Sequence, residues 1–167
     1  MANLIREQRI IDNNKRALIK YVMMIDSAAA NVTLVDASTL RFAKNTNGYI
    51  MSSNTDPMSE YRSTVKRIFG SARANGYIKL QWQGSTNTEI VTINNGSFDY
   101  NFEAMGDGAT IGTTEAAGQN GDILVTIVTP SSADAATIFI DLRKNQSYYD
   151  QGQTADPAAF NRGNYSL

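Results

Sequence analysis

The chain has 167 residues, 42% hydrophobic and 19% charged, a balance that suits a folded domain with enough length to bury a core. Its formal charge of −1 supplies no overall attraction to nucleic acid or anionic lipid, so neither is expected as a partner. The absence of histidine and cysteine removes the commonest general base, the commonest metal ligands and any disulfide framework.

From Met1 to Arg16 charged residues mix with the apolar pairs Leu4-Ile5 and Ile10-Ile11, without the apolar core of a signal peptide. That points to a cytosolic origin, and the sequons at Asn31 and Asn95 are then chance matches. A short helix or an extended arm fits residues 1–15 equally. From Arg16 to Asp26 the pattern alternates, with Ala17, Ile19, Tyr21, Met23 and Ile25 on one side. Leu18, Val22 and Met24 make the other side partly apolar, which predicts a strand covered on both faces or lying against a partner.

A small polar loop at 27–30 leads to a short strand at Val32–Val35 and to a turn of helix within 36–44. Residues 56–70 admit two readings. Asp56-Pro57 resembles a helix N-cap, and Met58, Tyr61, Val65 and Ile68 recur at helical spacing. Tyr61, Val65 and Phe69 also fit one face of a strand, and strand is the favoured reading. It would pair with residues 76–83, where Ile78, Leu80 and Trp82 alternate, through a hairpin at 71–76. Strands are further expected at 89–93, 97–102, 122–129 and 136–142, with a Gly-rich loop around Gly106, Gly108 and Gly112.

Four Asn-Gly pairs, at 47–48, 75–76, 95–96 and 120–121, punctuate these segments and read as type I′ hairpin turns, whose two central residues take positive φ. About eight strands at short spacing predict an all-β fold: an antiparallel β-sandwich, jelly-roll or Ig-like, over 16–143. Its core would hold Ile19, Tyr21, Ile78, Leu80, Trp82, Phe98, Tyr100, Ile138 and Ile140. The tail, 144–167, is polar and irregular, and its Tyr148, Tyr149, Phe160 and Tyr165 could be ordered only by lying on another surface.

Candidate chemistry is sparse. Asp99, Glu103 and Asp107 near the Gly-rich loop could suggest calcium, but the spacing lacks the ladder of an EF-hand loop, and a solvated acidic edge is the simpler reading. The run from Gly106 to Gly112 has neither a dinucleotide fingerprint nor a Walker lysine. No serine has a recognisable base, and no carboxylate pair stands out as a glycosidase couple. No catalytic, cofactor-binding or metal site is therefore assigned, and no enzymatic role is expected. Trp82 could stack on sugar if exposed, but its alternation places it in the core. Arg6, Arg9, Lys15, Arg16 and Lys20 make the N-terminal region mildly basic.

Several strings carry a resemblance: RALIKYV from Arg16, VDASTL from Val35, KLQWQG from Lys79, IFIDLRK from Ile138 and DQGQTADP from Asp150. Over residues 10 to 160 the chain resembles a family of virion structural proteins of tailed bacteriophages, common among marine and cyanobacterial phages. The resemblance implies a non-enzymatic particle component assembled in the host cytoplasm. A capsid decoration (cement) protein bound to the major capsid protein fits best, as a homo-oligomer such as a trimer. A neck or tail component (a head–tail adaptor), or a carbohydrate-binding module of a fibre, are the alternatives. Contacts to neighbours are expected at Ile5, Arg6, Arg9, Ile10, Tyr148, Tyr149, Phe160 and Tyr165. Removing residues 145–167 is then expected to abolish particle binding without unfolding the domain.

Overall fold

A computed structural model describes residues 3–51, 56–104, 111–112, 118–128, 130 and 134–150. Among these residues ten strands succeed one another: β1 (Leu4–Asp12), β2 (Arg16–Ile25), β3 (Ala29–Val35), β4 (Ser63–Arg73), β5 (Tyr77–Trp82), β6 (Thr88–Ile93), β7 (Gly96–Asn101), β8 (Ile111–Gly112), β9 (Ile123–Val128) and β10 (Asp134–Lys144). They form two antiparallel sheets. One runs β1-β2-β10-β4-β7, with β8 also on β4, and the other runs β3-β9-β5-β6. The protein is an antiparallel β-sandwich, as its alternating pattern predicts.

The period of two creates the core. Ile19, Tyr21 and Met23 of β2, Ile138 and Ile140 of β10, and Val65 and Ile68 of β4 point inward from the larger sheet. Ile78, Leu80 and Trp82 of β5 and Ile123, Val125 and Ile127 of β9 meet them from the smaller one. Each such side chain contributes about 1.5–3 kcal/mol by leaving water. Phe98 and Tyr100, expected within the core, are only partly buried and pack at its border.

The connections differ from the expected hairpins. β4 pairs with β10, β7 and β8, whereas β5 pairs with β6 and β9, so the proposed β4–β5 hairpin does not form. Asn75-Gly76 instead carries the chain from one sheet to the other, as does Asn95-Gly96 between β6 and β7. None of the four asparagines has positive φ, so none of these pairs is a type I′ turn. A type I′ loop joins neighbours in one sheet, while a step between layers about 10 Å apart needs a wider corner. The tight β1–β2 hairpin is made by Asn13. Its side chain accepts from the Lys15 and Arg16 amides at 2.9 and 2.8 Å, and its backbone N–H donates to the Arg16 carbonyl.

Residues 56–62 are neither helix nor strand: Asp56 has φ +67, outside any helix N-cap conformation, and Pro57 forms an isolated bridge with Asn45. Regular pairing begins at Ser63. The turn expected within 36–44 is a 3₁₀ turn, Ala37–Thr39, capped by the Asp36 carboxylate accepting from the Ser38 amide at 3.0 Å.

Candidate interaction surface

β2 lies between β1 and β10 in the larger sheet, and its inward side chains are almost wholly buried. Its other side is not covered by any described residue. Val22 is 39% exposed and Met24 62% exposed, so the doubly apolar pattern of 16–26 reflects a face left open, not a strand buried on both faces. Register carries that face across the sheet. Leu4, 43% exposed, stands opposite Met24, which stands opposite Ala135, and Arg6 stands opposite Val22, which stands opposite Thr137. Leu4, Val22 and Met24 thus form an apolar corner.

The middle row reads Gln8, Lys20, Phe139, Phe69, Asp99. The two phenylalanine rings are stacked, with centroids 4.7 Å apart and planes 4° from parallel. Lys20 Nζ lies 5.8 Å from the Phe139 centroid, and the Arg67 guanidinium lies 4.8 Å from that of Phe69. A cation therefore lies against each ring of this half-buried pair, and each cation–π contact contributes on the order of 0.5–1 kcal/mol at an exposed site. Arg67 also grips Asp99 through two hydrogen bonds of 2.8 and 2.5 Å. Arg16 does the same to Asp141 at 2.7 Å for both bonds.

These pairs account for the acidic residues. The Arg67 hydrogen bond holds the Asp99 carboxyl below its usual range, and the Lys66 hydrogen bond does so for Glu103. Both carboxylates are charged partners of basic side chains. Asp107 lies outside the described residues. Among the described residues there is no group of three or more acidic side chains that could hold a metal ion.

The expected contact residues separate into groups. Arg6 and Ile10 are exposed on β1, Ile10 at a bulge between Arg9 and Ile11. Ile5 turns inward and packs against the core. Arg9 is a clasp: it bonds Glu7 at 2.6 Å, Asp12 at 3.2 Å, and the carbonyl and hydroxyl of Thr39 at 2.6 and 2.7 Å. Residues 4–12, read as helix or arm, are thereby an integral edge strand.

Tyr149 is a core residue rather than a contact residue. It is 0% exposed, its hydroxyl donates to the Ala37 carbonyl at 2.9 Å, and its ring lies 5.6 Å from that of Tyr61. Tyr148 is half-buried and donates to Glu60 at 2.9 Å. Phe160 and Tyr165 lie outside the described residues. Sequence reasoning passed over Phe69 and Phe139 as surface residues. Their signal was an aromatic at an outward position of a strand whose outward neighbours are charged.

No family model matches the chain, and comparison with curated proteins finds no match. Among solved structures, a chain described as "BiXyn10A CBM1 APO" aligns over 85% of this chain and 89% of its own length, at 11% identity and a TM-score of 0.34.

Proposed function

We propose that this protein is a non-enzymatic structural subunit of a phage particle, in which the outer face of the larger sheet docks on a neighbouring virion protein. Capsid decoration, with the major capsid protein as partner, is the first form of this reading. The single observation behind it is the open five-strand face, with its apolar corner of Leu4, Val22 and Met24 beside a rigid Phe69–Phe139 ridge capped by cations. The exposed methionine, aromatic and arginine side chains of this face are residue types enriched in protein interfaces. Copies repeated by particle symmetry would add many such contacts. The resemblance of the RALIKYV and IFIDLRK strings to virion structural proteins favours the same reading, and those strings are the strands that build the face. A neck or tail position would use the same face at lower copy number.

The test is binding of purified protein to phage heads that lack it. A Val22→Asp, Met24→Asp double variant should lose at least about thirtyfold in affinity if these side chains are central to the contact. Saturation of the heads by the double variant, at wild-type concentration and with the fold intact, would overturn the reading. Sugar stacking on Trp82 gains nothing from the geometry, since the indole is 0% exposed in the middle of the core.

A further inference from the structure

On the opposite side of the sandwich, at one end of the outer face of the smaller sheet, a cleft of about 470 Å³ opens beneath the β5–β6 loop. Its size falls in the range of small-molecule sites, about 300–1,000 Å³. Among the described residues, Asn31, Thr33, Gln83, Ser85 and Asn87 line it with uncharged polar groups, over the buried Leu124.

Part of this lining is already fixed in place. Asn31 sits in an irregular stretch of β3 with φ +55, a backbone state that few residues other than glycine adopt readily. Its amide N–H donates to Thr126 Oγ1 at 3.1 Å, and its side-chain oxygen accepts from Asn87 Nδ2 at 3.0 Å. Asn87 Oδ1 in turn accepts from the Gly84 amide at 3.2 Å, which ties the loop down over the sheet. Beside these locked amides, the side chains of Thr33, Gln83 and Ser85 make no hydrogen bond with any described residue. Pre-positioned groups of this kind lower the ordering cost of binding.

The chemistry of the lining selects its ligand. Among the described residues of the lining, an anion or cation would meet no countercharge to offset its lost hydration. Hydroxyl and amide groups both donate and accept, matching a ligand dense in hydroxyls. We propose that the cleft binds a short segment of a neutral polysaccharide, with Asn87 and Gln83 as principal hydrogen-bonding residues. This assignment is independent of the docking face, which lies on the other sheet.

The test is an amide-resolved NMR titration of the full chain with soluble neutral oligosaccharides of glucose, xylose, mannose and galactose, and an oligouronate as charged control. At about 10 mM, a site with a millimolar Kd is largely filled. Saturable shifts centred on the side-chain amides of Asn31, Gln83 and Asn87 with at least one neutral sugar, but not the uronate, are expected. Asn87→Ala should weaken that binding about fivefold to tenfold. Gln83→Ala, which removes no hydrogen bond to a described residue, gives the same reading if Asn87→Ala fails to fold. The Val22→Asp, Met24→Asp double variant should bind sugar normally. Absence of shifts with every neutral sugar, shifts mapping elsewhere, equal response to the uronate, or full affinity in a folded cleft variant would each overturn the proposal.

Discussion

Lys144 ends β10 with its side chain fully removed from solvent, and its ammonium donates to the Asp12 carboxylate and to the Asn13 and Arg41 carbonyls, the latter two at 2.8 Å. One cation thereby fastens the β1–β2 turn and the loop after the 3₁₀ turn to the last strand. Burial outweighs the attraction of Asp12 and brings the lysine pKa down to about 8. The unfolded chain holds that proton up to about 10.5. Between these values the unfolded state binds more protons, so stability rises with pH, by at most about 3 kcal/mol. Above about pH 10 the sign reverses. Burial raises the hydroxyl pKa values of Tyr21 and Tyr149, so the fold keeps protons that the unfolded chain releases. Denaturant melts from pH 7 to 11 should therefore show a stability maximum between about pH 9 and 10. Lys144→Met should remove the rise and cost on the order of 1–3 kcal/mol at neutral pH, because Asp12 and the Asn13 and Arg41 carbonyls lose a buried donor while Asp12 keeps Arg9 at 3.2 Å. A flat profile in the wild-type protein would contradict this account of Lys144.

At the scale of the element, β4 depends on one residue without a side chain. Gly70 has φ +149, and a Cβ there would lie 2.0 Å from the Thr137 carbonyl oxygen and 3.2 Å from the Phe98 ring. Gly70→Ala should destabilise by about 2–4 kcal/mol, since both backbone strain and the β4–β10 pairing resist it. Equilibrium unfolding measures this, and a change under about 0.5 kcal/mol, the size of an ordinary surface effect, would rule it out. β1 presents a different problem, that of an unpaired edge. Exposed Arg6 and Gln8 and the bulge at Ile10 interrupt the flat ladder that another strand would need. On β2, Val22 and Met24 contribute less to the fold than the inward Tyr21, Met23 and Ile25, because they stay 39% and 62% exposed. The double aspartate variant should therefore melt close to wild type while losing its partner, which separates surface from core in one protein.

For the whole molecule, closure is decided by the pairing of β2 with β10, which joins Arg16 to Arg143 and Ile25 to Asp134. Such distant pairing places the sandwich among slow-folding topologies. It also changes what a tail truncation tests. Removing residues 145–167 takes away the buried Tyr149 and its bond to Ala37, which should cost about 3–5 kcal/mol or more. That deletion unfolds or weakens the domain instead of testing the tail alone. Removing residues 151–167 leaves those contacts whole. A clearly larger loss of melting temperature is expected for the longer cut than for the shorter one, and equal melting of the two would refute the role given to Tyr149.

Alternation was enough to place Ile19, Tyr21, Ile78, Leu80, Trp82, Ile138 and Ile140 in a common core, because a period of two converts sequence directly into sidedness. It could not say whether Val22 and Met24 met water or protein, since an apolar outward residue reads alike in either setting. The polar cleft was equally hidden. Asn31 and Asn87 stand 56 positions apart, and neither belongs to a motif, so only the docking of the β5–β6 loop over β3 brings their amides together.

The order of amino acids alone determined that this is an all-strand domain with a core between two layers, because burying alternate side chains is the favourable way to remove that apolar surface from water. Which strands became neighbours was decided only in three dimensions. Local turn signals at Asn75-Gly76 and Asn95-Gly96 are short-range preferences, and cross-sheet packing of β4, β5, β6 and β7 outweighed them. The same long-range packing took Tyr149 into the interior and left the Phe69–Phe139 ridge outside.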